Sequence, residues 1–464
     1  MPGSPGGIAS RDAPRLASVA VIGVAALTCV FLNWPGHLSY DSVVQLSEGR
    51  TGSYSGEHPP VMSWLLGLAD AVLPGAGLFV VFDVALVFGA LAALVWMGRP
   101  GVWRAAILAA LAAFTPQLIV YPAIVWKDVL FAGAMVAGFA ALAWAAANWT
   151  ADKSKGGRWR WLWVAKSAAL LSLAALSRQN GALVLPIAAV AVAWIAARGG
   201  AGLGRAVLSG AGFFAATVIV VAAASLALAT RLEDAGSLGE AWQSLESYDI
   251  VAATARDPHF DLAVLHARAP AAETLVRTEG VAAYTPERID TLEPVFDKMG
   301  AGGDISGLIG DQWRDLVLRH PWLYLQVRAQ AFEWVFLTPK PDACVMLETG
   351  VDGPAYEMGL AGLQPRDTPR DEAIAGYALK FAATPVFSHA AYALVGAAVG
   401  LWLLRRRRPA DLAVLAMLAS GFAFAASFAV ISIACDYRYL YALDLSAIAA
   451  SLYAVASGVR RPAR

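Results

Sequence analysis

Apolar runs of about the length that crosses a bilayer, roughly 20 residues, follow one another along most of this chain and leave little room for another kind of fold. They fall at 16–34, 77–97, 105–122, 129–149, 161–177, 182–197, 206–230, 382–404, 410–431 and 440–458. Short charged clusters separate them, and only 15% of the residues are charged, against about 25% in a soluble domain. The pattern predicts an all-α polytopic membrane protein with about ten transmembrane helices, because lipid accepts only segments whose backbone groups are satisfied internally. The stretch 161–197 is too long for one span. Its polar break Ser177-Arg178-Gln179-Asn180-Gly181 predicts a tight helical hairpin.

Orientation follows from Lys and Arg in the short loops. With Arg11 and Arg15 in the cytoplasm, ten crossings also place inside Arg99/Arg104, Lys153/Lys155/Arg158/Arg160, Arg198/Arg205, Arg405 to Arg408 and Arg460/Arg461/Arg464. The opposite short loops carry few basic residues, chiefly Lys127, Arg178 and Arg438. Both termini are therefore expected in the cytoplasm. Residues 1–230 read as an N-terminal transmembrane module of about seven helices, 231–381 as an extracytoplasmic domain, and 382–464 as a C-terminal transmembrane module of about three. The first run ends in Asn33-Trp34-Pro35 without a small-residue cleavage site and reads as a retained helix.

The segment 231–381 is too long for a plain connection. It holds 24 of the chain's 35 Asp and Glu against 13 Lys and Arg, an acidic surface that breaks no orientation rule. Helical patterns interrupted at Asp257-Pro258, Thr285-Pro286, Gly300–Gly303 and Pro339-Lys340-Pro341 predict a small, mostly helical domain. Within it, 313–337 mixes aromatics with Arg314, Arg319 and Arg328, which suits either an interfacial helix or a core helix of the domain. Of the three cysteines, Cys29 sits in an apolar run. Cys344 and Cys435 would share the outer side, where pairing and two free thiols are both open.

The chemistry-bearing residues gather at the outer ends of the runs. Asp41 follows the first run, and Gln45 lies one helical turn further on the same face. Glu57-His58-Pro59-Pro60 opens an apolar stretch, 61–73, too short to span, so interfacial helices are expected in this first outer loop. Trp126-Lys127-Asp128 begins the fourth run, Arg178 and Asn180 occupy the hairpin tip, and Tyr437 and Arg438 lie in the tip Asp436–Tyr441. Each has a plain structural reading. Asp41 could cap a helix, His58-Pro59-Pro60 could be a turn, Trp126 could anchor beside a solvated Lys-Asp pair, Arg178 could snorkel, and 436–441 could be an aromatic belt. Asp83 and Asp444 fall inside runs and are expected to pair or to line a cavity. No Walker loop, Rossmann fingerprint, HExxH or CxxC pair occurs. None of the six histidines has metal-ligand spacing, and no nucleic-acid partner is indicated.

An acid directly after the first helix, then His-Pro-Pro opening an amphipathic helix, resembles the lipid-linked-sugar glycosyltransferases of the GT-C superfamily. These include protein O-mannosyltransferases, aminoarabinose transferases and bacterial transferases for cell-envelope glycans. The resemblance spans the chain as architecture. It is motif-specific at 35–60 and looser at Trp126–Asp128, Ser177–Gly181 and Asp436–Tyr441. Many members carry two adjacent acids in the first loop, whereas here Asp41 is followed by Ser42.

The resemblance implies an inverting glycosyltransferase that moves a sugar from a polyprenyl-phosphate donor to an extracytoplasmic acceptor, whether cell-envelope glycan, lipid or protein. Asp41 and Asp128 would be its catalytic carboxylates, with Asp41 placed to serve the acceptor hydroxyl as base. Gln45, Glu57, His58, Lys127, Arg178, Asn180, Tyr437 and Arg438 would bind substrate, the cations where charge develops on the departing phosphate. No cofactor is assigned, although a divalent cation held weakly by carboxylates is compatible with the residues. High Ala, Gly, Arg and Trp usage points to a GC-rich bacterium, hence a multi-pass protein of a bacterial cytoplasmic membrane. The alternative is a transporter or flippase for a lipid-linked or envelope precursor, resting on Asp83 and Asp444. A non-catalytic scaffold would tolerate loss of Asp41.

Overall fold

A computed structural model of the chain describes residues 6–55, 58–98, 103–149, 157–232, 237–301 and 305–458. The protein is an all-α polytopic membrane protein. Among the described residues helices dominate, and β-structure is confined to isolated bridges such as His37 to Ile124 and Leu38 to Val351.

Among the described residues seven helices are long and apolar enough to cross a membrane: Asp12–Asn33, Gly77–Trp96, Lys127–Ala147, Gly181–Arg198, Leu203–Ala229, Pro409–Ile431 and Tyr437–Ser457. An eighth is added if Trp103–Ala113 and Pro116–Ala123, bent by 80° at their junction, count as one span. The expected span 105–122 is thus not one continuous helix but a bent pair. Pro116 lacks an N–H and its ring crowds the preceding turn, so the helix stops at Ala113 and restarts in a new direction. The expected total of ten crossings is not reached by length and apolarity. The runs 161–177 and 382–404 fall on the helices Gly157–Ser177 and His389–Arg406, which are outside the seven and carry Arg160 and Lys166, and Arg405 and Arg406, respectively. Both nevertheless pack in the bundle, the first on Lys127–Ala147 and the second on Tyr441–Ser457.

Lys127–Ala147 is the central helix. Its apolar window is 89% buried by protein, against 17% for the peripheral Leu203–Ala229. Small residues let its neighbours approach closely. A Cβ added at Gly138, for example, would stand 2.7 Å from Leu171 of the adjoining helix.

The first loop folds as two antiparallel helices, Tyr40–Thr51 and Pro60–Val72. The second is 13 residues long and apolar, too short to span, as expected from its sequence. The two cross at glycine: a Cβ on Gly49 would lie 2.4 Å from the Ser63 carbonyl, and one on Gly67 would lie 2.3 Å from that of Gly49. Buried Glu48 holds the turn between them. It accepts from the Ser55 amide at 2.8 Å, the Ser55 hydroxyl at 2.5 Å and the Ser63 hydroxyl at 2.6 Å.

Beyond residue 237 a second hydrophobic cluster forms around Tyr248, Val251, Phe260 and Leu316. It is built from Ser237–Arg256, Ser306–Arg319, Pro321–Leu337 and shorter helices. The continuous pattern at 313–337 is in fact two helices, parted at His320-Pro321. The second packs on the end of Pro409–Ile431, where Arg328 donates to the carbonyls of Val430 (2.9 Å) and Ser432 (3.0 Å) and pairs with buried Asp249 at 2.6 Å. Residues 338–381 then run back to the first loop. There Arg366 donates to the Gly36 carbonyl at 2.7 Å, and a disulfide joins Cys344 to Cys435.

Candidate functional site

Four separate tips converge beside the N-terminus of the central helix. The first helix of the outer loop begins at Tyr40, and Ser42 Oγ accepts the Ser39 amide at 3.3 Å. The serines therefore take over the capping, and Asp41 is left to face the tips. Its Oδ2 meets Arg438 Nη1 at 2.8 Å and its Oδ1 lies 3.8 Å from His58 Nε2. Lys127 Nζ donates to His58 Nδ1 at 2.8 Å. That bond makes Nδ1 the acceptor and leaves the ring proton on Nε2, toward Asp41.

Asp128, the next residue, pairs with Arg178 at 2.7 Å, and the two side chains are 2% and 7% exposed. Arg178 therefore does not snorkel to solvent. Arg438 has a second carboxylate, Asp436, at 3.0 Å. Its guanidinium lies 5.0 Å from the centre of the Trp126 ring and 5.6 Å from that of Tyr439, while Arg178 lies 5.5 Å from the same Tyr439 ring. One aromatic ring is thus flanked by two guanidinium groups, an arrangement that cation–π attraction supports.

These contacts fix the protonation states on the outer loops. Burial pushes the Asp41 carboxyl up, but Arg438, Lys127 and His58 together outweigh it and hold the group well below the usual carboxylate range. Burial, reinforced by Lys127, lowers His58 to about 3, so its ring is neutral at physiological pH. Asp436 is shifted upward, first by burial, with Arg438 opposing. The result is an ionised acid held by Arg438 and Lys127, 24% exposed, with Arg178 paired to Asp128 alongside. Such a constellation can bind a phosphate and orient a hydroxyl.

The structure therefore brings together Asp41, His58, Lys127, Asp128, Arg178 and Arg438. Gln45 lies below Asp41, buried, with Nε2 unpartnered among the described residues. Asn180 turns away and donates to Ser427 Oγ at 2.7 Å. Tyr437 also points elsewhere: its hydroxyl donates to Asp444 at 2.5 Å and accepts from Gln117 at 2.9 Å. Asp444, expected to pair, does so with His389 as well, at 2.9 Å. Asp83 is buried with neither oxygen hydrogen-bonded among the described residues. Glu57 lies outside the described residues. Among those described, no group of three or more His, Cys, Asp and Glu side chains is spaced to hold a metal ion, and each site carboxylate already faces a cation.

Three neighbours carried no signal as site residues in the sequence reading: Trp126 as a guanidinium platform, Asp436 as the second partner of Arg438, and Glu348. The last reaches this region through the segment following Cys344. The disulfide is the one covalent hint, and only the choice to pair Cys344 with Cys435 would have exposed it.

No family model and no curated protein matches the chain. Among solved structures it is similar to the archaeal oligosaccharyltransferase AglB from Archaeoglobus fulgidus, in complex with an inhibitory peptide and a dolichol-phosphate, at 16% identity and a TM-score of 0.41 over 94% of this chain and 50% of that one. It is similar to the apo form of the Archaeoglobus fulgidus oligosaccharyltransferase at 16% identity and a TM-score of 0.40, with the same coverage. The chain spans about half the length of these structures. At such identity and score the likeness is one of general outline, and the functional reading rests on the residues themselves.

Proposed function

We propose that this protein is a GT-C-type glycosyltransferase that takes a sugar from a polyprenyl-phosphate carrier and passes it, with inversion, to an acceptor hydroxyl on the extracytoplasmic side. The observation that carries the reading is the convergence of Asp41, His58, Lys127, Asp128, Arg178 and Arg438 from four tips into one cluster. A donor of this kind has a phosphate leaving group and a tail that stays in lipid. Lys127, Arg178 and Arg438 supply positive charge where the phosphate separates from the sugar. Asp41 faces the acceptor side and accepts its hydroxyl hydrogen bond. Asp128 fixes Arg178, and His58, neutral, links Lys127 to Asp41. The described site carboxylates each face a cation and form no metal-binding group, and no step is assigned to a divalent cation.

We further place the first loop, the tips and 231–381 outside, with both termini in the cytoplasm of a bacterial cell. The basic clusters favour this side. So does the Cys344–Cys435 disulfide, since such bonds persist in oxidising compartments.

A multi-pass transporter or flippase is the second reading, favoured by Asp83 and Asp444 within the spans, the latter paired with His389. Purified protein in lipid separates the two. A transferase releases sugar from one of a panel of polyprenyl-phosphate sugars, whereas a transporter leaves every donor intact and loses flux in Asp83→Asn.

A further inference from the structure

The helix Pro369–Leu379 falls in the stretch that reads from sequence as part of the extracytoplasmic domain. A capping box starts it: the Thr368 amide and hydroxyl both donate to Asp371 Oδ2, at 3.0 and 2.7 Å. Two of its side chains are tied to the ends of apolar helices of the bundle. Arg370 donates to the Phe31 carbonyl in the last turn of the span Asp12–Asn33, and its guanidinium lies 5.9 Å from the centre of the Phe31 ring. The Tyr377 hydroxyl donates at 2.6 Å to the carbonyl of Phe114, the residue after Trp103–Ala113. Both carbonyls end lipid-facing stripes. Val24, Leu27 and Phe31 are exposed at helical spacing on one helix, and Ile107, Leu111 and Phe114 on the other, with Phe31 76% and Phe114 65% exposed. The seven residues from Arg370 to Tyr377 rise about 10 Å, and packed helices stand about 8–10 Å apart. These two helices pack on each other. Pro369–Leu379 therefore runs from the end of one to the end of the other, along the plane of the bilayer and not away from it.

The faces of the helix follow from its periodicity. Asp371 and Ala378 are buried against the protein. Arg370 and Tyr377, two turns apart, point to the ends of the two helices. Ala373 and Lys380 are exposed beside them, on the side away from the buried pair, and exposed Glu372 lies on the face opposite Arg370. Phe381 continues the aromatic row, its ring 5.4 Å from that of Tyr377. Aromatic rings flanked by Arg and Lys on long apolar stems are the set that sits at a bilayer surface. We infer that Pro369–Leu379 is a membrane-surface helix, seated in the headgroup layer of the leaflet on the side of the Asp41 cluster. Ala373 points toward the acyl chains, and Arg370 and Lys380 stand among the lipid phosphates. The same helix holds the first loop. Asp371 lies 3.3 Å from Arg366 Nε and 3.5 Å from His37 Nδ1, and Arg366 donates to the Gly36 carbonyl at 2.7 Å. The leaflet is thereby tied to chain four residues ahead of Asp41. The partner is lipid whatever the cluster transfers, so the inference stands apart from the transferase reading.

The test puts a nitroxide on single cysteines of the full chain in phosphatidylcholine–phosphatidylglycerol vesicles, with Cys29→Ala removing the free thiol and the disulfide left intact. Power saturation compares collisions with oxygen, which concentrates in lipid, and with a water-soluble nickel chelate. Leu226→Cys, exposed on the span Leu203–Ala229, is the lipid reference, and Asp297→Cys, exposed beyond residue 237, is the water reference. The oxygen-to-nickel ratio at Ala373→Cys should be severalfold above those at Glu372→Cys and Asp297→Cys and should approach that at Leu226→Cys. Adding Arg370→Gln/Lys380→Gln, matched in thermal melt, should lower the Ala373→Cys ratio toward the water reference. A ratio at Ala373→Cys equal to that at Asp297→Cys overturns the inference. Should Ala373→Cys not fold, Lys380→Cys decides it by the same comparison. A ratio that the double substitution leaves unchanged overturns the anchoring role of the two cations.

Discussion

At the scale of the residue, the site is a balance between one half-buried acid, Asp41, and the cations that hold it. Arg438 bridges Asp41 and Asp436 and stacks between Trp126 and Tyr439, so it is both charged and oriented. Arg438→Ala is expected to raise the donor KM by about tenfold to a hundredfold, the worth of a charge-assisted hydrogen bond. Arg438→Lys should recover little, because an ammonium cannot make the same planar fork. Initial rates over a range of donor concentration check both. His58 gives a stability prediction. Its folded value of about 3 lies far below its ordinary 6.5, so the unfolded chain gains a proton first as the pH falls. Stability should therefore drop below about 6.5, and His58→Gln should flatten that part of a denaturation–pH curve.

Asp41, His58, Lys127, Arg178 and Arg438 were legible as site candidates because ionisable residues are scarce at the ends of apolar runs. Glu348 was not, because nothing within its own segment sets it apart. The segment that carries it is held through Val345, Met346 and Gly350 to Tyr437, Tyr121 and Leu38, and those contacts span some 90 to 310 residues of chain. Tyr437 and Asn180 were read from the right tips but with the wrong direction, since position along a helix says little about which way a side chain turns.

At the scale of the element, the first-loop hairpin sets the distance between Asp41 and His58. Its helices approach through Gly49 and Gly67, where an added methyl meets backbone and not a yielding side chain. Gly67→Ala should cost about 1–3 kcal/mol, read as a lower melting temperature, and should reduce turnover because His58 moves with the second helix. The segment 344–350, tied to Cys435, Tyr437, Tyr121 and His37, is the other positioning element. Its disulfide closes a separation of 91 residues, which the chain-entropy account values at about 4.6 kcal/mol. Reduction, or a Cys344→Ser/Cys435→Ser double variant, should lower thermal stability and slow turnover, and the effect of reductant should persist in Cys29→Ala. Calorimetry and rate measurements with and without reductant decide it. Element positions followed from apolar periodicity, which is why most spans stand where the sequence puts them. The break at Pro116 and the division at His320-Pro321 were missed because both lie inside runs whose composition stays uniform across them.

At the scale of the whole molecule, one bundle presents its polar tips on a single side, beneath a helical segment fixed to the bundle through Arg328 and the disulfide. The fold class was legible because lipid permits so few solutions. The number of crossings was less so, since Gly157–Ser177 and His389–Arg406 mix basic residues with apolar ones. If the basic clusters face the cytoplasm, a cysteine placed at exposed Trp322 should react with an impermeant thiol reagent in intact cells, and one at exposed Arg405 only after permeabilisation. The reverse pattern would invert the site relative to the proposal.

The central claim is that the cluster around Asp41 transfers a lipid-linked sugar. Its most direct test compares wild type with Asp41→Asn, matched in thermal melt, for release of sugar from a panel of polyprenyl-phosphate donors in lipid. The account predicts turnover of one donor by the wild type and a loss of about a hundredfold or more in the variant, the scale at which a misplaced reacting group is felt. Equal release by both proteins would contradict it.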